Sequence, residues 1–292
     1  MPTQAKTPDS RALAATGGAL AAAGAAVAAG KVRSTRRERA RRFELAEGEP
    51  VAEGVRRIAR GQLENIADHF DVSDERSVHE ARKSFKRLRA LVRLARNELG
   101  DETRRRENAA FRDAGRELSG ARDARVMVET LDKLDPEAFG GLRTALREET
   151  PGQPDAAAVG RAVEDARARV ETWPLGADAS LEPGLRRVRK RGRRAYKSAR
   201  SEPSSEHLHE LRKRTKDLWH AAQILRKRKL ARDAHKLSDF LGDDHDLATL
   251  QAAAERHPTA MTAGERDRLD ELVEGRRAKL QRTALKRAKQ LY

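Results

Sequence analysis

A ten-residue segment of this chain occurs twice, and the duplication restricts the possible folds more than any other feature. The first copy, HEARKSFKRL, begins at His79, and the second, HELRKRTKDL, begins at His209. The two copies agree at His, Glu, Arg, Lys, Lys and Leu. The same shift of 130 residues aligns GVRR at Gly54 with GLRR at Gly184. A shift shared by two successive segments indicates an internal duplication, in which each half supplies an equivalent structural unit.

Both copies lie in segments with the periodicity of an amphipathic helix. Apolar residues recur at steps of three and four from Val78 to Leu99, which lines them up in one stripe that can pack against other helices. We predict helices over 78–99 and 208–229, with Ser73 or Asp74 capping the first helix and Gly100 ending it.

The composition extends this prediction to the whole chain. Charged residues make up 37% and aromatic residues 3%, and the alternation typical of strands is rare. We therefore predict an all-α protein in which two related helical bundles pack about a pseudo-two-fold axis. The two motif helices are then expected to face one another across a shared groove.

A second stripe on each motif helix carries cations and almost no acids. A solvated helix face usually mixes its signs, because repeating one sign causes self-repulsion without a counter-anion. Arginine binds phosphate oxygens in a bidentate manner, lysine supplies a point charge, and histidine donates a hydrogen bond. The alternative is a merely soluble surface. The stripes comprise His79, Arg82, Lys83, Lys86 and Arg93 in the first helix and His209, Arg212, Lys213, Lys216, His220 and Lys227 in the second.

The net charge of +16 points to a polyanionic partner, but it is unevenly distributed. Residues 1–42 contribute +7 and the remaining chain +9, so a binding site in the folded part has to come from segregated charge. We predict that residues 1–44 form a disordered Ala/Gly-rich and basic tail. Its uncharged run from Ala12 to Gly30 is too weakly hydrophobic for us to expect a membrane segment. The basic block Lys31 to Arg42 is either an anion-binding arm or a solubilising linker.

Signals for catalysis are weak. The chain has no cysteine, which excludes disulfides and thiolate metal ligands and fits a cytoplasmic location. Metal phosphohydrolases use adjacent His and Asp residues as ligands, and His245-Asp246 is such a pair, in the turn-like segment LGDDHD. The corresponding segment of the first half, LSGARD, has Arg122-Asp123 in the matching place and so lacks the histidine. No phosphate loop or serine nucleophile motif occurs. We expect neither metal, cofactor nor enzymatic activity.

Nucleic acid is the main alternative ligand. The sequence contains no recognisable DNA-binding motif, and six Phe, two Trp and two Tyr are few for stacking on bases. Phosphate-binding groups without base-reading groups suit a polymer made of phosphate. Non-specific nucleic-acid binding through the basic tail and the C-terminal helix stays open.

The duplicated motif resembles the CHAD family, named for its histidine-containing α-helical domain. His79-Glu80-Ala81-Arg82-Lys83 is followed by Lys86, Arg87, Leu88 and Arg89, and the pattern restarts at His209. The resemblance covers about residues 45–292. It implies two four-helix-bundle lobes, over about 45–178 and 179–292, around a basic groove or pore. It also implies binding of inorganic polyphosphate, often at polyphosphate granules in the cytoplasm.

The resemblance also assigns residues. No triphosphate-tunnel catalytic domain accompanies the motif, so intrinsic hydrolysis is not expected. Asp217 and Trp219 depart from the pattern by replacing Arg87 and Arg89, so the two copies are not expected to contribute equally. The phosphate ligands that it implies are His79, Arg82, Lys83 and Lys86 with His209, Arg212, Lys213 and Lys216; Arg89, Arg93 and His220 extend the stripes, and weaker candidates are Arg56, Arg57, Arg60, Arg186, Arg187 and Lys190.

Overall fold

The computed structural model describes residues 42–118, 123–149 and 154–292, and over these ranges the protein is all-α, as predicted. Most of the predicted tail, including Ala12 to Gly30, lies outside the described residues. Within the described ranges, no helix combines the length and hydropathy needed to cross a membrane. The helices are α1 (Val51–His69), α2 (Glu75–Leu94), α3 (Arg96–Glu117), α4 (Asp123–Leu134), α5 (Gly140–Glu148), α6 (Ala156–Glu171), α7 (Glu182–Ser201), α8 (Ser205–Ile224), α9 (Arg228–Arg256) and α10 (Ala263–Leu291).

Eight of these helices form two groups of four with the same arrangement of neighbours. In the first group α1 and α3 each contact both α2 and α6. In the second group α7 and α9 each contact both α8 and α10. The equivalent helices therefore include α1 and α7, and the motif helices α2 and α8. The pseudo-two-fold relation and the lobe boundaries stay predictions.

The remaining pair, α4 and α5, is an insertion between α3 and α6. It packs on α9 of the second group rather than on its own group, through a core that includes Leu131, Leu142 and Leu250. This insertion, which lies in sequence between two helices of the first group, therefore covers part of the second group.

The start of the described chain packs against the core. Phe43 and Leu45 are partly buried, and the Leu45 N–H donates to the Ile224 carbonyl at 2.9 Å. The predicted boundary between tail and domain at residue 44 stays a prediction, and Phe43 and Leu45 lie on either side of it.

Two helix boundaries differ from the sequence prediction. Asp74 caps α2 by accepting from the Arg76 and Ser77 N–H groups, as expected, and Gly100 is a break with φ 71°. The helix predicted to reach Leu99, however, ends at Leu94. The helix predicted over 208–229 is present over 208–224 as part of α8, but its predicted end is wrong, because α8 ends at Ile224 and α9 begins at Arg228.

A Schellman motif without glycine causes the break between α8 and α9. Arg226 adopts a left-handed φ of 53°, and the Lys227 N–H donates to the Ala222 carbonyl at 2.8 Å. Because glycine usually occupies this position, an arginine there gives no stop signal. The segment LGDDHD, expected as a turn, lies inside α9 and not in a turn.

The two groups meet where α2 and α3 contact α7 and where α2 contacts α8. Gly184, near the start of α7, lies directly against the backbone of Leu94 at the end of α2. A Cβ at this glycine would overlap the Leu94 carbonyl. The absence of a side chain therefore allows α7 to approach the end of α2.

We expect Gly184→Ala to lower the free energy of unfolding by about 1–3 kcal/mol, because the added methyl meets backbone that cannot move aside as a flexible side chain would. Gly275→Ala in α10, where the added Cβ meets open space, is the control and is expected to be neutral or slightly stabilising. Urea unfolding of both variants measures the difference. Equal stability of the two variants would contradict the close packing of α7 on α2.

Candidate functional site

A cationic cavity lies where α2, α3, α7 and α8 meet, and we call it cavity A. It has a volume of about 270 Å³. Seven arginines line it, and Asp217 is the one carboxylate among its described lining residues. The lining consists of Arg89, Arg93, Arg96, Arg104, Asn108, Arg187, Val188, Arg191, Arg214 and Asp217.

A second cavity, cavity B, continues from the first between the motif helices α2 and α8. Its volume is about 200 Å³. Arg89, Arg93, Arg214 and Asp217 line both cavities, so the two form one cationic space. The lining of cavity B consists of Lys86, Arg89, Arg93, Lys213, Arg214, Lys216, Asp217 and His220.

The guanidinium groups in this space are crowded. Burial, and next the charge of Arg93, lower the pKa of Arg89. Burial and the charge of Arg214 likewise lower the pKa of Arg191. Both directions show that the charged forms lack full compensation from solvent and from acids. A bound anion would relieve this repulsion.

One donor in cavity A also lacks an acceptor. The Nε–H of Arg93 is buried and has no hydrogen-bond partner among the described residues, whereas the Arg104 Nε lies 3.4 Å from the Asp101 carboxylate. Buried donors without a partner are rare in folded proteins, and a bound anion or water commonly satisfies them. The hydrogen-bonding state of cavity A is thus consistent with a site for an anion.

The cationic surface continues outside cavity A along α7. Arg96, Arg187 and Arg191 line both cavity A and an adjoining outer groove. Glu182 is the one acid in the sequence of α7. The exposed cations of the outer groove and of the α7 surface next to it are Arg186, Arg189, Lys190, Arg193, Arg194 and Lys197.

Comparison with known proteins agrees with this arrangement of helices. The model of the CHAD domain matches residues 57–255, which is more than half of the chain. The chain belongs to the CHAD family. The crystal structure of the CHAD domain from the plant Ricinus communis is similar in fold, with a TM-score of 0.52 and 20% identity, over 81% of this chain and 87% of that chain. The search of curated proteins gave no match.

The residues of the two motif helices that are predicted to bind phosphate in this CHAD protein fall into two sets. Those toward the C-terminal end of α2 and in the middle of α8 line the cavities: Lys86, Arg89, Arg93, Lys213, Lys216 and His220. Those nearer the N-terminal ends line neither cavity in the described structure. Lys83 pairs with Glu80 at 2.9 Å, and His79 and Arg82 also have interaction partners. The assignment of all these residues as phosphate ligands stays a prediction.

The CHAD-motif histidines of α8 occupy different environments. His209 lies against His245 of α9, with ring centroids 4.6 Å apart, and its Nδ1 is buried without a hydrogen-bond partner. Burial first, and then the charge of His245, lower the pKa of His209. His220 stacks on Trp219 at 4.7 Å and contacts Phe43 edge to face. Its burial lowers the pKa to about 3, so it is neutral at pH 7.

The three arginines predicted as weaker phosphate ligands on α1 of this CHAD chain form contacts with other parts of the fold. Arg56 donates to the Trp173 carbonyl at 2.7 Å, which holds the segment after α6. Arg57 forms a bidentate pair with Glu49 at 2.6 and 2.8 Å, and Arg60 pairs with Glu171. None of the three lines cavity A or cavity B. Their equivalents on α7 differ, since Arg187 lines cavity A and Arg186 and Lys190 line the outer groove.

Several cavity residues were missing from the sequence prediction. Arg96 and Arg104 belong to α3, Arg191 to α7, and Arg214 lies on the motif helix between predicted ligands. The signal for α7 was present in the sequence, because GLRRVRKRGRRAYKSAR contains no acid. The α3 arginines gave no signal, since acids are interspersed among them.

A metal centre gains no support from the described residues. No group of three or more His, Asp or Glu side chains in them is arranged to hold an ion. Asp244 is buried and accepts from Arg277 at 3.1 Å and from Gln281 at 2.8 Å. This acid, next to His245, therefore joins α9 to α10.

Proposed function

We propose that this CHAD protein binds inorganic polyphosphate without hydrolysing it. The observation that carries the proposal is the convergence of seven arginines from four helices on cavity A, with one carboxylate among them. Such a space concentrates positive charge where solvent screening is weak, and it matches a ligand that carries negative charge on every unit.

The lining favours a polymer of phosphate over a nucleic acid. No Phe, Trp or Tyr of the described chain lines cavity A or cavity B, and the imidazole of His220 is the one aromatic ring in the two described linings, so bases would find little to stack on there. The donors of the lining are mainly its cations, together with the amide of Asn108. Contacts from these groups to phosphate oxygens carry no information about bases.

The continuity of the cationic surface supports a long ligand. Cavity A shares lining residues with cavity B on one side and with the outer groove along α7 on the other. One extended polyanion can therefore contact all three. Binding of a long chain at a polyphosphate granule, in the cytoplasm, is the cellular role that we propose. Non-specific nucleic-acid binding through the exposed cations of α7 and the tail is the alternative.

Titration with long-chain polyphosphate at several salt concentrations tests the proposal. We expect tight binding with an affinity that falls steeply as salt rises, because counterions are released from a linear polyanion. Phosphate release with added divalent ions is measured in parallel and is expected to stay at the level of the buffer. Absence of binding would remove the proposal, and sustained phosphate release would replace it with a hydrolase.

A further inference from the structure

Asp217 is the acid that interrupts the cationic lining at its centre. Its carboxylate accepts from Arg93 of α2 at 2.7 Å and from Arg214 of α8 at 2.8 Å. The side chain is 12% exposed, and it lines both cavity A and cavity B. The ion-paired group of Arg93, Asp217 and Arg214 therefore lies at the boundary between the two cavities.

The position is specific to the second copy of the motif. The first copy has Arg87 in the equivalent place, and Arg87 faces Gln62 and the Phe43 ring. Asp217 therefore adds a negative charge to the cationic space, and α2 has no acid at the equivalent position. The carboxylate occupies two guanidinium groups, as a phosphate would.

We propose that Asp217 is an internal counter-anion that sets a chain-length threshold: it holds Arg93 and Arg214 against short phosphates and yields to long polyphosphate. This inference rests on the proposed function. It adds a residue that determines which polyphosphates the site accepts.

The physical reason is competition between a tethered anion and a free one. Asp217 loses no translational freedom when it pairs with the arginines, whereas a free anion does. A short phosphate gains little beyond the two arginines that it must take from Asp217. A long chain also contacts Lys86 in cavity B and Arg187 and Arg191 in cavity A, and these added contacts outweigh the displaced carboxylate.

Calorimetric titration of the full chain with tripolyphosphate and with long-chain polyphosphate tests the inference. Both ligands displace the same carboxylate, so we expect Asp217→Asn to raise the affinity for each of them by about tenfold or more. Tripolyphosphate, which gains few other contacts, then binds at concentrations at which the wild type does not bind it, so the chain-length threshold falls. Asp217→Glu, which retains the charge, is expected to keep the wild-type threshold.

Glu206→Gln is the matched control. Glu206 lies on the same helix, is exposed, and lines neither cavity. Its replacement changes the net charge by the same amount, so it reports the general electrostatic effect. We expect a similar, small gain for both ligands.

The possible outcomes separate the two proposals. Wild-type protein that does not bind the long chain would remove the proposed function and this inference together. Wild-type binding of the long chain with an unchanged affinity for tripolyphosphate in Asp217→Asn, or a gain equal to that of Glu206→Gln, would overturn the inference alone. Asp217→Ser is the second variant if Asn does not fold, and failure of both to fold would overturn the inference by giving Asp217 a purely structural role.

Discussion

Replacing Lys86, Arg89 and Arg187 together by Gln is expected to weaken long-chain polyphosphate binding by roughly 100-fold or more. Each side chain lines a cavity. A hydrogen bond to a charged group contributes about 1.5–3 kcal/mol, so the loss of three such contacts weakens binding by at least this factor even if their contributions are only partly additive. The salt dependence should also become shallower by about two to three units of slope. Titration at a series of salt concentrations gives both quantities. Arg93 is left in place to keep its ion pair with Asp217.

The control for this variant removes the same charge from a different surface. Arg282, Lys286 and Lys289 are exposed on α10, where cations near the helix C-terminus are favourable without a ligand. Their replacement by Gln is expected to lower the affinity by less than about tenfold, through net charge alone. Equal losses in the two triple variants would show that binding depends on overall charge and not on the cavities.

Arg169→Met is expected to lower the free energy of unfolding by about 3 kcal/mol, the largest stability effect that we predict for one residue. Glu107 of α3 is fully buried and accepts from the Arg169 Nε–H at 3.0 Å, which joins α3 to α6. Removing Arg169 leaves this buried carboxylate paired with Arg106 of its own helix, whose Nε–H donates to it at 3.0 Å. Chemical denaturation measures the loss.

Two further variants test the cause. Adding Glu107→Leu to Arg169→Met removes the buried carboxylate that has lost its partner on α6, so the double variant is expected to be more stable than Arg169→Met. Arg167→Met breaks an exposed pair with Glu164 on the same helix and should cost less than about 1 kcal/mol. A double variant less stable than Arg169→Met would contradict the role assigned to the buried charge.

Much of the fold could be predicted from local signals. The apolar spacing and Asp74 located α2, and the break at Gly100 required a residue that tolerates positive φ. The end of α8 could not be predicted, because Arg226 occupies a left-handed position without the usual glycine. The packing of α4 and α5 on α9 depends on contacts distant in sequence, which periodicity does not report.

The candidate site was only partly predictable for the same reason. Lys86 and Arg93 were found because they share one face of α2, and Lys216 was found because it lies on the equivalent face of α8; all three line the cavities. Arg104 and Arg191 join them only through packing between helices. The sequence alignment identified Asp217 as a departure from the first copy, but its pairing with Arg93 across α2 and α8 requires the three-dimensional structure.

Competition between polyphosphate and duplex DNA for the intact chain tests the central claim most directly. Protein bound to a labelled duplex is titrated with long-chain polyphosphate, and the reverse experiment starts from bound polyphosphate. A cationic space lined by no Phe, Trp or Tyr of the described chain predicts that polyphosphate displaces the duplex at far lower phosphate concentration than the duplex needs to displace polyphosphate. Displacement at equal phosphate concentrations in both directions would contradict the claim and favour general polyanion binding.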